Sequence, residues 1–203
     1  MTDQTAVFRL FAGVPLSEEC RAVSAELLQR LRGPEGPLGS DAARGARISC
    51  PPPERQHLTL KFLGDTDPDT VPVLSAALAK ISFHPFLLQL EGAGFFPSAA
   101  RPSVLWAGVG QGADALADLA GQVNEALAPL GFPPEKRPFH PHLTLGRVRA
   151  AGRADWNAVQ RLVAGCSWPG LRVSRFVLWK SELKPGGAVY TPLGEFDGEG
   201  SGP

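Results

Sequence analysis

Apolar and polar positions alternate with two different periods along this chain, and the switches between those periods outline its elements. Val7 to Val14 is short and dense in apolar residues, which predicts a strand. Pro15 and Ser17 then offer a helix entry. From Glu18 to Leu31 the residues Val23, Leu27, Leu28 and Leu31 recur at helical spacing. Asp69 to Lys80 carries the same period. So does Ala113 to Leu130, where Leu116, Leu119, Ala120, Val123 and Leu127 share one face and predict a long helix against a core. A shorter helix is expected over Trp156 to Val163. Strands are expected at Arg47 to Cys50, Phe86 to Leu90, Val104 to Val109, Leu171 to Lys180 and Ala188 to Thr191. Gly33 to Gly45 reads as a loop. Gly92 to Pro102 reads as a long turn-rich connection between two antiparallel strands, and Gly198 to Pro203 as a frayed tail.

Two of the strand patterns contain the same four residues, His57-Leu58-Thr59-Leu60 and His142-Leu143-Thr144-Leu145, in a chain with only 4 histidines. A chance second copy has a probability of about 0.002, so coincidence explains it poorly. Both motifs continue into short apolar-rich runs, Lys61-Phe62-Leu63 and Gly146-Arg147-Val148, and both follow prolines that impose extended backbone, Pro51 to Pro53 and Pro138 with Pro141. In a strand, His57 and Thr59 share one face while Leu58 and Leu60 share the other, with the same division in the second copy. The leucines then belong to a core. Each His/Thr pair sets an acid/base group beside a hydroxyl donor, and two such faces opposed across a cleft would bracket one anionic group. The order strand, helix, His-x-Thr strand, helix recurs loosely in the second half, although similarity outside the motif is weak.

The 203 residues, 43% of them hydrophobic, suffice for one substantial domain or two joined lobes. Lys plus Arg and Asp plus Glu each total 20, so no global positive field holds a long nucleic acid and any such contact must be local. Basic residues do gather late in the chain, at Lys136, Arg137, Arg147, Arg149, Arg153, Arg172, Arg175, Lys180 and Lys184, where the plain alternative is a solvated surface. Cys20, Cys50 and Cys166 are scattered and form no Cys-x-x-Cys pair, which suits buried thiols in a reducing compartment. The N-terminus has no signal-like pattern and no apolar run is long enough to span a membrane. A cytoplasmic monomer is therefore expected.

The two His-x-Thr-x motifs resemble those of the 2H phosphoesterase superfamily, and their surroundings are similar to its RNA 2′,3′-cyclic phosphodiesterase (2′-5′ RNA ligase) branch. The resemblance runs over nearly the whole chain. It includes Arg9 to Val14, His57 to Gly64, Phe95-Phe96-Pro97, Arg101-Pro102, Val104-Leu105-Trp106, Arg137-Pro138-Phe139, Pro141 to Arg147, Ser181-Glu182-Leu183 and Gly187 to Tyr190. It implies a single bilobal α+β domain over residues 1–197, in which two antiparallel sheets face each other across a central cleft with helices outside and one motif in each lobe. It also implies a metal-independent enzyme that opens 2′,3′-cyclic phosphate ends of RNA, or a small cyclic nucleotide, to a 2′-phosphate and a free 3′-hydroxyl, with no cofactor.

Those residue types suit that chemistry. In-line opening of a cyclic phosphodiester needs a base for the attacking water and an acid for the departing ribose oxygen, on opposite sides of phosphorus. By the resemblance His57 and His142 are that pair, Thr59 and Thr144 donate to the non-bridging oxygens, and Arg147 is the cation facing the developing charge. The sequence does not say which histidine is the base. His140-Pro141-His142 is a His-x-His pair, but no carboxylate or cysteine cluster accompanies it, so no metal is expected. His140 reads as a rim residue within reach of substrate, and His84 as structural. Phe11 and Trp106 are candidates to stack on a base, although core packing is the commoner fate of such residues. Two other readings stand beside hydrolysis: ligation of a 2′,3′-cyclic phosphate to a 5′-hydroxyl at the same site, and a non-catalytic RNA-end-binding protein.

Overall fold

The computed structural model describes residues 7–39 and 43–200. Its elements follow the chain as β1 (Phe8–Pro15), α1 (Glu18–Arg32), β2 (Arg47–Ser49), β3 (His57–Thr66), α2 (Val71–Leu78), β4 (Phe86–Leu88), β5 (Leu90–Ser98), β6 (Arg101–Val109), α3 (Ala113–Leu127), β7 (His142–Ala150), α4 (Trp156–Ala164), β8 (Leu171–Val173), β9 (Arg175–Lys184) and β10 (Gly187–Asp197). Helix starts obey local chemistry. The Ser17 hydroxyl accepts from the Cys20 amide at the head of α1, and the Asp155 carboxylate accepts from Ala158 N at the head of α4.

The strands assemble in the order β10-β9-β1-β3-β7-β6-β5, with β2 beside β7, and every pairing is antiparallel. Two half-sheets are thus recognisable, β10-β9-β1-β3 and β7-β6-β5. They touch edge to edge through one register pair, Leu58 with Leu143. β4 and β8 form a separate two-stranded sheet.

A β-bulge relates the halves residue by residue. Between Ala12 and Gly13 of β1 the partner skips from Lys61 to Thr59, leaving Leu60 as the extra residue; between Leu105 and Trp106 of β6 it skips from Gly146 to Thr144, leaving Leu145. The bulge therefore falls on the last leucine of each motif. One extra residue shifts the alternation by one. As a result Lys61 and Gly146 are buried beside the leucines, and Phe62 and Arg147 return to the side of the His/Thr pairs as exposed residues. The four leucines join one core with Leu10, Ala12, Val14, Leu105, Ala107 and the apolar face of α3.

Burying Lys61 requires partners, and it has them. Its Nζ donates to Asn124 Oδ1 on α3 at 2.6 Å and to the Pro133 carbonyl at 2.8 Å, tying β3 to the helix and to the segment that leads into β7.

Several expectations are corrected. Gly92 to Pro102 is no long connection: β5 runs through it to Ser98, and only Ala99 and Ala100 separate it from β6. Gly94 is small because the Trp106 indole lies across it, where a Cβ would collide with the six-membered ring, and Pro97 is tolerated because β5 ends the strand order. Phe86 to Leu90 does not form a single strand against β6, since β4 pairs with β8. The Leu171 to Lys180 pattern divides at Ser174 into β8 and β9. Asp69 to Lys80 condenses into a 3₁₀ turn at Pro68–Thr70 followed by α2. The expected tail is anchored at its start, where Gly198 N donates to Ser174 O at 2.7 Å and Glu199 N to Phe83 O at 2.8 Å; residues 201–203 lie outside the described residues. Among the described residues, no helix is long and apolar enough to cross a membrane.

Candidate active site

Alternation around the Leu58–Leu143 pair places His57, Thr59, His142 and Thr144 on the face opposite the core. Continuing that antiparallel register by one residue each way aligns His57 with Thr144 and Thr59 with His142. The histidines are thus diagonal neighbours across the junction of the halves. They are close enough that charge on His142 opposes protonation of His57.

Both imidazoles are held in the same way. His57 Nδ1 lies 3.0 Å from the Arg55 carbonyl and His142 Nδ1 lies 2.7 Å from the His140 carbonyl, each two residues upstream. A carbonyl only accepts, so Nδ1 carries the hydrogen in both rings, and in the neutral form Nε2 is left with the lone pair. The upstream backbone is itself fixed. The Ser24 hydroxyl donates to Gln56 Oε1 at 2.5 Å, and Gln56 Nε2 donates to the Pro51 carbonyl at 3.2 Å, which seats the buried Gln56 immediately before His57.

The two rings have different surroundings. Phe11 stacks on His57 at a centroid distance of 4.5 Å, Trp179 lies tilted at 5.5 Å, and Tyr190 presents an edge at 5.5 Å. Gly13 admits this crowding, because a Cβ there would meet the Leu58 carbonyl at 2.6 Å, Trp179 at 3.3 Å and His57 Cδ2 at 3.4 Å. Burial pushes the His57 pKa from 6.5 down to about 4, against an opposing contribution from the Arg55 carbonyl. Burial lowers His142 as well. The His140 carbonyl opposes this, while the charges of His140 and Arg147 add to it. Arg147 is therefore close to His142. It also lowers the pKa of Tyr190, which burial raises, so its charge reaches the first half-sheet too.

Phe11 is 3% exposed, packed behind His57 and against Trp179, which makes it a support for the imidazole with almost no surface left for a base. Trp106 is half-buried on the second half-sheet, 5.0 Å from the His140 ring and 5.3 Å from Phe96, and His140 itself is exposed at the rim. Arg147 makes no ion pair among the described residues, whereas Arg175 and Lys180 are engaged by Glu195 and Glu182, both at 3.3 Å. No cluster of three or more His, Cys, Asp or Glu side chains comes together among the described residues.

Sequence reasoning missed Gly13, Trp179, Tyr190 and Phe62. Trp179 and Tyr190 lie on β9 and β10, remote in sequence and brought to His57 by sheet order alone. Tyr190, the chain's single tyrosine, was the one with a signal. Phe62 faces the cleft side because of the bulge, 58% exposed and 6.2 Å from Phe11.

Residues 21–185 match the model of the 2′-5′ RNA ligase superfamily. An RNA 2′,3′-cyclic phosphodiesterase of Aeropyrum pernix is 34% identical over 166 residues, covering 80% of this chain and 93% of its own. One from Thermus thermophilus is 36% identical over 195 residues, covering 93% and 89%. Among solved structures, Escherichia coli LigT complexed with 3′-AMP superposes with a TM-score of 0.69 at 26% identity, covering 96% of this chain and 99% of LigT. TT0787 of Thermus thermophilus superposes with a TM-score of 0.68 at 32% identity, covering 94% and 99%.

Proposed function

The chain belongs to the 2′-5′ RNA ligase superfamily, and from that premise we propose that it hydrolyses the 2′,3′-cyclic phosphate end of RNA to a 2′-phosphate and a free 3′-hydroxyl, with His57 and His142 as its acid/base pair. The observation that carries this reading is the matched anchoring of the two rings: each Nδ1 is held by the carbonyl two residues upstream, which leaves each Nε2 free for proton transfer, and the two histidines stand diagonally across the junction of β3 and β7. In-line displacement needs two proton-transfer groups on opposite sides of one phosphorus, and the diagonal histidines are the pair assigned to that work. One ring takes a proton from water as its oxygen bonds to phosphorus. The other gives a proton to the 3′-oxygen as the P–O3′ bond breaks, while the P–O2′ bond stays intact.

The remaining groups follow from position. Thr59 and Thr144, beside the histidines, donate to the non-bridging oxygens, and Arg147 faces the charge that builds on them. In the free protein burial favours neutral rings, and an incoming phosphate anion raises both pKa values, so substrate itself recruits the proton the acid needs.

The test is turnover of a 2′,3′-cyclic nucleotide in excess EDTA, with the product identified as 2′- or 3′-phosphate. A 2′-phosphate is expected, and His57→Ala or His142→Ala should each cost about 10²–10⁴-fold in kcat. Undiminished activity in both variants, or abolition by EDTA, would refute the reading. A joined product from RNA bearing a 5′-hydroxyl would instead place ligation at the same site.

A further inference from the structure

Beside His57 lies a pocket of 210 Å³ whose walls come entirely from the first half-sheet and its connections, among them Arg21, Glu54, Arg55, Trp179 and Tyr190. The residue in the corresponding position before His142 is placed differently. Arg55 stands to His57 as His140 stands to His142, since each offers its carbonyl to the following Nδ1. The His140 ring, however, is packed edge-on against Trp106 at 5.0 Å and Phe96 at 5.5 Å, whereas Arg55 opens onto the pocket. The site is therefore symmetric at the reacting centre and asymmetric two residues upstream of each histidine.

We propose that this pocket is a second phosphate subsite, in which Arg21 and Arg55 take the phosphodiester that joins the terminal nucleotide to the rest of an RNA chain. The inference rests on the hydrolase reading above and extends it to the substrate's length and direction. Charge is the first argument. Two guanidiniums against the single carboxylate of Glu54 leave one positive charge, which matches one phosphodiester. Availability is the second: among the described residues the Arg21 side chain makes no hydrogen bond or ion pair, although its charge is felt by the exposed Glu19, and the Arg55 guanidinium spends only a long 3.4 Å bond on the Gly186 carbonyl. Continuity is the third. Tyr190 feels both Arg147, at the reacting phosphate, and Arg55, at the pocket, so the two cationic regions meet at its ring. Size is the fourth, because the volume suits a phosphodiester and part of a ribose better than a whole nucleoside, for which sites typically begin at about 300 Å³. RNA then enters over the His57 end of β3.

The test compares binding of a nucleoside 2′-phosphate with that of the corresponding 2′,5′-bisphosphate, and turnover of a 2′,3′-cyclic mononucleotide with that of a dinucleotide ending in the same cyclic phosphate. The protein should bind the bisphosphate about tenfold more tightly and show a similar preference in kcat/KM for the dinucleotide. Arg21→Gln and Arg55→Gln should each bring both ratios towards one, while Arg175→Gln, a surface cation already paired with Glu195, leaves them unchanged. Ratios near one in the unsubstituted protein, ratios that Arg21→Gln leaves intact, or an equal fall with Arg175→Gln would overturn the subsite. Failure of the hydrolase reading looks different: neither cyclic substrate turns over, and the binding ratio still reports on the pocket.

Discussion

Phe11→Leu tests why the His57 ring stays neutral. Phe11 is 3% exposed and stacks on the imidazole at 4.5 Å, and burial holds the His57 pKa at about 4 in place of 6.5. At about 1.36 kcal/mol per pH unit, that difference corresponds to about 3 kcal/mol disfavouring the charged ring in the folded protein. The sign follows from linkage. The folded state binds fewer protons than the unfolded state, so this contribution is fully present above pH 6.5 and is lost as pH falls from 6.5 towards 4. Phe11, Trp179 and Tyr190 are the three rings around the imidazole, and equal shares assign Phe11 about 1 kcal/mol. Leucine keeps much of the apolar volume, which avoids the ~3–5 kcal/mol cost of Phe→Ala. The variant should therefore fold, with His57 titrating roughly one pH unit higher. Histidine Cε1–H resonances followed by NMR from pH 3.5 to 8, with His142→Asn for assignment, read this directly. Urea unfolding at pH 7 and pH 4.5 should show a smaller acid-induced loss of stability in Phe11→Leu than in the unsubstituted protein. His57 titrating near 6.5 before substitution, or an unmoved midpoint after it, would refute the reasoning.

Because burial lowers both histidines below 6.5, the singly protonated pair of the free enzyme exists on the acid side of neutrality. kcat/KM should accordingly peak below pH 6.5 and fall as pH rises, while kcat extends to higher pH because bound phosphate restores the proton; a kcat/KM optimum at pH 8 would contradict this. Gly13→Ala drives a Cβ into the Leu58 carbonyl at 2.6 Å and against Trp179 at 3.3 Å, so it should lower kcat at least tenfold, and wild-type kinetics would show that the crowding does not position His57. Lys61→Met removes two hydrogen bonds and leaves Asn124 Oδ1 and the Pro133 carbonyl without that donor. A loss of about 1–3 kcal/mol in denaturant unfolding is expected, and unchanged stability would mean the lysine is not holding β3 to α3.

The His-Leu-Thr-Leu repeat was legible because strand alternation is local: it depends only on backbone extension, so leucine burial and the outward His/Thr pairs follow from order along the chain. The long face of α3 was legible for the same reason. The Gly92 to Pro102 segment was not, since a glycine that admits a tryptophan ring looks identical in sequence to a glycine that makes a turn. Phe62 and Arg147 depend on a bulge, and a bulge is a property of two paired strands that neither strand's alternation announces.

By itself, then, the sequence determined the long helices, the two motif strands with their His/Thr faces and the family resemblance, all of which rest on short-range spacing or on residue identity. Only the tertiary structure decided what surrounds each histidine. Sheet order carries Trp179 and Tyr190 from the end of the chain to His57, the carbonyls of Arg55 and His140 orient the rings, and the half-sheets meet at one pair of leucines. Desolvation, ring orientation and charge coupling depend on neighbours distant in sequence, and so the difference between two identical tetrapeptides becomes visible only once the chain has folded.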